Sequence, residues 1–255
     1  MSVLVSPAWL HLREGADAAA RSIDLAERLA RHAPAGPLEI HDLGGGSGSM
    51  GRWLAPRLPR PQHWVVHDRD PDLLALAVAN PPHGATVEAR RSDVGDLGDL
   101  AGADVIVASA LLDILTADEL HAMLAACAGR PMLLALTVLG RVSLTPTEPL
   151  DRRIEAAFND HQRRAGLLGP DATAATVNAL RGESAAIVMQ PSPWRLAAAH
   201  ADLVAEWLDG WVAAACEQVP ALAAEAGGYR ERRLAQLAAG ELAVTVDHAD
   251  LLVLP

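Results

Sequence analysis

The alternation of apolar and polar positions opens the chain with a helical stripe. Between Asp17 and Arg31, Ala18, Ala19, Ile23, Leu25, Ala26 and Leu29 recur among Arg, Asp and Glu, which predicts an amphipathic helix before the first strand. Leu38 to Leu58 reads as a short buried strand, a glycine-dense turn and a helix. His63 to Ala75 reads as a second strand ending at His67–Asp68. A helix then begins near Pro71, with Asp70 placed to cap it. Ala85 to Leu97 supplies a third short strand followed by Asp93-Val94. Ala103 to Leu115 is nearly all apolar, as expected of a strand covered on both faces, and turns at Ser109-Ala110. Pro131 to Gly140 is the fifth strand. Strands and helices alternating at this spacing predict an α/β fold with a doubly wound, mostly parallel sheet.

The pattern changes in the second half. Leu144 to Gly182 carries loop signals, a helix, a Gly-Pro break and a second helix, and so reads as a helical insertion after the fifth strand. Glu183 to Leu196 supplies a sixth strand and a Pro-flanked turn with Trp194. In the helix from Leu203 to Cys216, Trp207 and Trp211 share one face, a core pattern. Arg230 to Gly240 reads as a short helix, and Glu241 to Pro255 alternates apolar residues around His248 and Asp250. We expect one domain over residues 1–255, with an N-terminal helical cap at 1–36 and the insertion at 144–182.

Composition narrows the function classes. A chain of 255 residues that is 51% hydrophobic can bury a full core. Its net charge of −11, with no lysine at all, argues against a nucleic-acid backbone as partner. Cys127 and Cys216 lie in alanine-rich stretches and suit buried thiols better than a disulfide, and no metal-ligand spacing is present. No apolar run reaches transmembrane length, so a cytoplasmic location without membrane contact is expected.

Candidate chemistry centres on the turn after the first strand. Gly44, Gly45, Gly46 and Gly48 clear side chains from a sharp bend where a nucleotide can approach backbone, with Asp42 just ahead. Asp42-x-Gly44-x-Gly46-x-Gly48 fits the acidic-then-glycine turn of S-adenosylmethionine (SAM) methyltransferases. The overlapping Gly46-x-Gly48-x-x-Gly51 fits the dinucleotide fingerprint of NAD enzymes. Asp68, with Arg69 after it, follows the turn by about 20 residues, where a strand-end carboxylate accepts from ribose hydroxyls. Arg13 or Arg21 could reach over the turn to grip a ligand carboxylate, or be a solvated cap arginine.

Four stretches in order, DLGGGSG, VVHDRDPDLL, RSDV and ADVIVASALLD, resemble the class I SAM-dependent methyltransferases across roughly Leu38 to Gly140. The resemblance implies a seven-stranded sheet whose last strand is inserted antiparallel. It also implies SAM as cofactor, with Gly44 and Gly46 at its methionine part, Asp68 at the ribose, Asp93 and Val94 at the adenine, and the backbone around Ser109 beside the sulfonium. No (D/N)PP(Y/F) follows the fourth strand, which disfavours amino-methylation of adenine or glutamine. The expected activity is methyl transfer to a small-molecule acceptor. The alternatives are a NAD-type oxidoreductase and a non-catalytic SAM-binding protein.

The insertion is expected to form the substrate lid. Asn159, Arg163 and Trp194 are candidate substrate contacts, and the arginines would suit an acidic acceptor; a solvated helix face is the competing account. A base is needed only if the acceptor must lose a proton. His161 is the first candidate and His248 the second, with Asp113 an acidic option. The oligomeric state is not readable from the sequence.

Overall fold

The structure is a computed structural model that describes residues 5–59, 61–95, 97, 100–181 and 185–255. The expected helix over Asp17–Arg31 is two helices, α1 (Pro7–Ala20) and α2 (Ile23–His32). Arg21 adopts extended backbone (φ −56°, ψ 139°) and Ser22 caps α2 by accepting from the Leu25 N–H. The Ser22 N–H in turn donates to the buried Asp250 at 2.7 Å. A carboxylate from the far end of the chain thus overrides the helical preference of an alanine-rich stretch, which no local pattern reveals.

β1 (Leu38–Leu43) runs through the glycine turn into α3 (Ser49–Leu54), followed by β2 (Gln62–Asp68), α4 (Pro71–Ala79), β3 (Ala85–Arg91) and β4 (Val105–Ser109). Asp70 caps α4 as expected, accepting from the Asp72 and Leu73 amides. β4 ends at Ser109, earlier than the apolar run to Leu115, because Ala110 turns to φ +52° and Leu112–Ile114 forms a short 3-10 turn. α5 (Ala117–Ala126) leads to β5 (Met132–Thr145), then α6 (Pro149–Gln162) and α7 (Ala172–Ala179). β6 (Ala186–Pro191), β7 (Trp194–Leu196), α8 (Ala201–Gln218), α9 (Ala223–Ala238) and β8 (Ala243–Leu254) complete the chain. The expected strand start at Glu183 and the insertion's end at Gly182 lie outside the described residues.

The sheet order is β3-β2-β1-β4-β5-β8-β6. β8 runs antiparallel between β5 and β6, as the resemblance implied. An eighth short strand, β7, adds to the expected seven by pairing Trp194–Leu196 with Val246–Val244. β1 pairs in parallel with both β2 and β4, so the chain's winding reverses there and a crevice opens at the strands' carboxyl ends.

Apolar cores form on both faces of the sheet. Leu25, Leu29, Trp64 and Val107 belong to one, and Ile106, Leu120, Met123 and Leu134 to the other. A third core joins α6, α8 and α9 to the projecting halves of β5 and β8 through Leu144, Trp194, Trp211 and Tyr229. Trp207 and Trp211 stack at 5.0 Å in this layer, as their spacing predicted. Asp250 binds a second amide there, Leu136 N–H at 2.8 Å, where β5 bulges and Leu136 holds φ +56°.

Candidate functional site

A cavity of about 210 Å³ lies at the carboxyl ends of β1, β2 and β4, roofed by α1. Its floor is the glycine turn. Gly46 and Gly48 hold φ of +53° and +82°, conformations that side chains rarely adopt. Gly45 is needed for space, since a Cβ there would lie 2.8 Å from the Asp42 carboxyl. The turn is held from β2: the Gly45 N–H donates to His67 O at 3.0 Å and the Gly46 N–H to Asp68 Oδ2 at 2.9 Å.

Two opposite charges flank this floor. Asp42 is fully buried and neither carboxylate oxygen has a hydrogen-bond partner. Burial pushes its pKa up to about 7, against the pull of the Arg21 guanidinium. Arg21 is 3% exposed, and its Nη2 donates to Ser109 Oγ at 3.0 Å and Ser49 Oγ at 3.3 Å. Its Nε and Nη1 have no partner. Burial lowers the arginine's pKa, opposed mainly by Asp17 and then by Asp42 and Asp250. Buried charged atoms without hydrogen bonds are costly, so the Asp42 oxygens with Arg21 Nε and Nη1 mark a place prepared for a polar ligand group.

The other side of the cavity carries acceptors. Asp68 binds the Gly46 and Asp70 amides, one on each oxygen, which fixes its plane at the end of β2. Asp93 accepts from the Gly95 N–H at 3.0 Å, and Val94 lines the cavity beside it. Arg69 and Ser109 also line it.

The sequence-predicted catalytic and substrate residues are not among those that line the cavity. His161 sits on α6 and pairs at 3.1 Å with Glu217 of α8, with Arg164 against the same ring nitrogen. His248 is 3% exposed behind Trp194, ring centroids 5.4 Å apart, and burial pushes its pKa down to about 4. Asn159 donates to Gly140 O at 2.7 Å and Arg163 is spent on Asp171 at 2.7 Å. Trp194 is buried, donating its indole N–H to Asp17 at 2.9 Å. Asp113 has one buried oxygen without a partner, and burial raises its pKa. The insertion's described residues contribute nothing to the cavity wall, because α6 packs on α8 and β5 instead.

The roof comes instead from the N-terminal cap, where Arg13 and Arg21 both line the cavity as one reading of the sequence allowed. Trp9, Leu10, Arg13 and Asp17 of α1 cover the cavity, opposite Leu111, Ile114 and Leu115 after β4. Arg13 grips Asp17 through Nε and Nη2 and lies 4.9 Å from the Trp194 ring. The four-residue spacing of Arg13 and Asp17 was the available signal for this pair. Ser92, and His41 with His67 behind it, were also missed.

The doubly wound sheet with its glycine turn after β1 is an architecture shared with known methyltransferases. A family profile described as a methyltransferase domain matches residues 40–130. A candidate methyltransferase from Bacillus halodurans C-125 shares the fold, with a TM-score of 0.52 at 13% identity over 91% of this chain and 97% of the other. A SAM-dependent methyltransferase from Thiobacillus denitrificans in complex with S-adenosylhomocysteine matches with a TM-score of 0.49 at 14% identity, covering 97% of this chain and 99% of that one. The cyclopropane synthase MmaA2 from Mycobacterium tuberculosis gives 0.49 at 16% identity over 91% and 82%. Among curated proteins none matches the sequence. The methyltransferase-domain match thus spans the glycine turn through β4 and α5, and nearly the whole chain shares its fold with known methyltransferase structures. Among the described residues no helix is long and apolar enough to cross a membrane.

Proposed function

We propose that this cavity binds SAM through the residues around the glycine turn and transfers its methyl group to a small-molecule acceptor. The observation that carries the assignment is the orphaned pair, Asp42 and Arg21, on one side of a turn whose other side carries Asp68 and Asp93. A ligand with an amino-acid end and a nucleoside end fits both. The ammonium would face Asp42, the carboxylate would take Arg21 Nε and Nη1, Asp68 with Arg69 would border the ribose, and Asp93 with Val94 would meet the adenine. Gly44, Gly45, Gly46 and Gly48 allow the close approach. SAM supplies an electrophilic methyl on a sulfonium that carries its own leaving group.

The protein's part is then alignment and exclusion of water. Arg21 holds Ser109 at the end of β4 and so ties the ligand's carboxylate side to the wall where the acceptor must arrive. That wall, with Trp9, Leu10, Ile114 and Leu115, favours a small acceptor with apolar surface. The arginines that suggested an acidic acceptor lie elsewhere. No histidine lines the cavity among the described residues, which favours an acceptor that arrives as a ready nucleophile.

The test is calorimetric titration with SAM, S-adenosylhomocysteine and NAD in parallel. Micromolar binding of the first two and none of NAD is expected. Binding of NAD alone would transfer the glycine turn to the oxidoreductase reading. SAM binding without turnover on any acceptor would favour a non-catalytic SAM-binding protein.

A further inference from the structure

A line of hydrogen bonds crosses the sheet beneath the cavity. The Glu39 carboxylate, 38% exposed at the start of β1, meets His41 Nε2 at 3.0 Å. His41 Nδ1 meets His67 Nε2 at 3.0 Å, and His67 Nδ1 meets Ser92 Oγ at 3.0 Å. Both imidazoles are buried, at 0% and 1% exposure, and burial lowers the pKa of each, His67 to about 4. Ser92 is the end that reaches the cavity wall, next to Asp93 and Val94, and its N–H is tied to Asp68 O at 3.1 Å.

The direction of this line is set at its surface end. An ionised carboxylate only accepts, so His41 carries its hydrogen on Nε2 and offers Nδ1 as acceptor. His67 must then donate from Nε2 and accept on Nδ1. The one proton on Ser92 Oγ is thereby committed to His67.

We propose that the Glu39–His41–His67 relay makes Ser92 a pure acceptor towards the cavity, so that Ser92 and Asp93 together select a ligand edge bearing an amino group. This rests on the adenosine reading of the cavity and names a selectivity device within it. An exocyclic amine has two hydrogens, and the two neighbouring acceptors can take one each. A carbonyl at the same ring position would meet lone pairs only. His41 and His67 are positioning residues that act through Ser92.

Nitrogen NMR of the apo-protein reads the relay directly: both His41 and His67 should be neutral with the proton on Nε2. Calorimetry then compares S-adenosylhomocysteine with S-inosylhomocysteine, in which a carbonyl oxygen replaces the amino group. Ser92→Ala should shrink the preference for the adenosyl compound by about tenfold, the worth of one hydrogen bond. Glu39→Gln lies outside the cavity, and its amide can donate or accept, so it should relax the preference by about threefold without lost folding. A proton on His67 Nδ1 in the wild type would overturn the relay. Tight adenosyl binding with an unchanged ratio in Ser92→Ala would overturn the selectivity alone. No binding of S-adenosylhomocysteine to the wild type would overturn the cofactor assignment and the selectivity with it, leaving the tautomer result to judge the relay.

Discussion

Replacing Asp42 by asparagine should make the ligand-free protein gain stability relative to wild type as pH rises, although it removes a charge from the site. In the folded state burial raises this carboxyl from the ordinary 3.8 to about 7. Between those values the folded chain holds a proton that the unfolded chain has released, so stability falls as pH rises. At about 1.4 kcal/mol per pH unit of displacement, the full cost above pH 7 is about 4 kcal/mol. Linkage gives about 2 kcal/mol of that cost already at pH 5. The remaining change, about 2–3 kcal/mol, should appear between pH 5 and pH 8.

The assay is urea unfolding of wild type and Asp42→Asn without ligand at those two pH values. The buried amide has its own unpartnered atoms, so the offset between the proteins at one pH is uninformative. The change in that offset isolates titration of Asp42, because His67, His248 and Asp250 titrate in both proteins. The variant should gain about 2–3 kcal/mol on wild type from pH 5 to pH 8. Saturating S-adenosylhomocysteine should narrow the gap at pH 8, since a ligand ammonium would pair with the ionised wild-type carboxylate. Parallel stability curves from pH 5 to 8 would refute the reasoning: Asp42 would then titrate alike folded and unfolded.

Further outcomes follow from the same geometry. Asp68→Ala should weaken SAM binding by about 1.5–3 kcal/mol, the worth of hydrogen bonds to a charged group, and calorimetry showing unchanged affinity would remove Asp68 from the site. Arg21→Gln should weaken S-adenosylhomocysteine more than a decarboxylated analogue, and equal losses for both would mean that Arg21 does not hold the carboxylate. His161→Ala should leave turnover unchanged once an acceptor is known, because that ring is engaged with Glu217 away from the cavity; a collapse of turnover would restore it as the base. His248 has its pKa pushed from 6.5 down to about 4 by burial, so the stability it contributes is complete above pH 6.5 and lost as pH falls towards 4. His248→Asn should therefore flatten the acid limb of a thermal-unfolding profile, and an unaltered limb would contradict the assignment.

Much of the cavity floor was legible because its residues are consecutive and each has a local reason. Gly45 clears the Asp42 carboxyl, Asp68 ends β2, and Asp70 caps the helix beyond. The break between α1 and α2 was not legible, since it depends on Asp250 binding Ser22 from more than two hundred residues away. The N-terminal cap and the reach of Arg13 and Arg21 over the turn were legible, but the angle of α1 depends on that break. His161 lies away from the cavity for another reason: a polar residue on a helical insertion looks available until its partner is known. Glu217 for His161 and Asp171 for Arg163 belong to packing that local periodicity does not encode. The His41–His67 pair shows the converse, two polar residues on buried strands made tolerable only by each other and by Glu39 and Ser92.

The position of Asp250 links the fold to the entry path. One oxygen binds Ser22, where α1 separates from α2, and the other binds Leu136, where β5 bulges beside the end of β4. Ala110 N–H donates to Ala135 O at 2.9 Å across the same edge, and Ala110 lines the cavity at φ +52°. The roof helix and the wall after β4 are therefore both fixed against one buried carboxylate on the antiparallel strand. On the proposed reading an acceptor would pass between α1 and the Leu111–Leu115 segment, whereas α6 packs on α8 and β5 and α7 packs behind Leu111, Leu112 and Leu115. Specificity should accordingly follow substitutions at Trp9 and Ile114 more than any change in the insertion, since Trp9 and Ile114 line the proposed SAM cavity and the insertion's described residues do not.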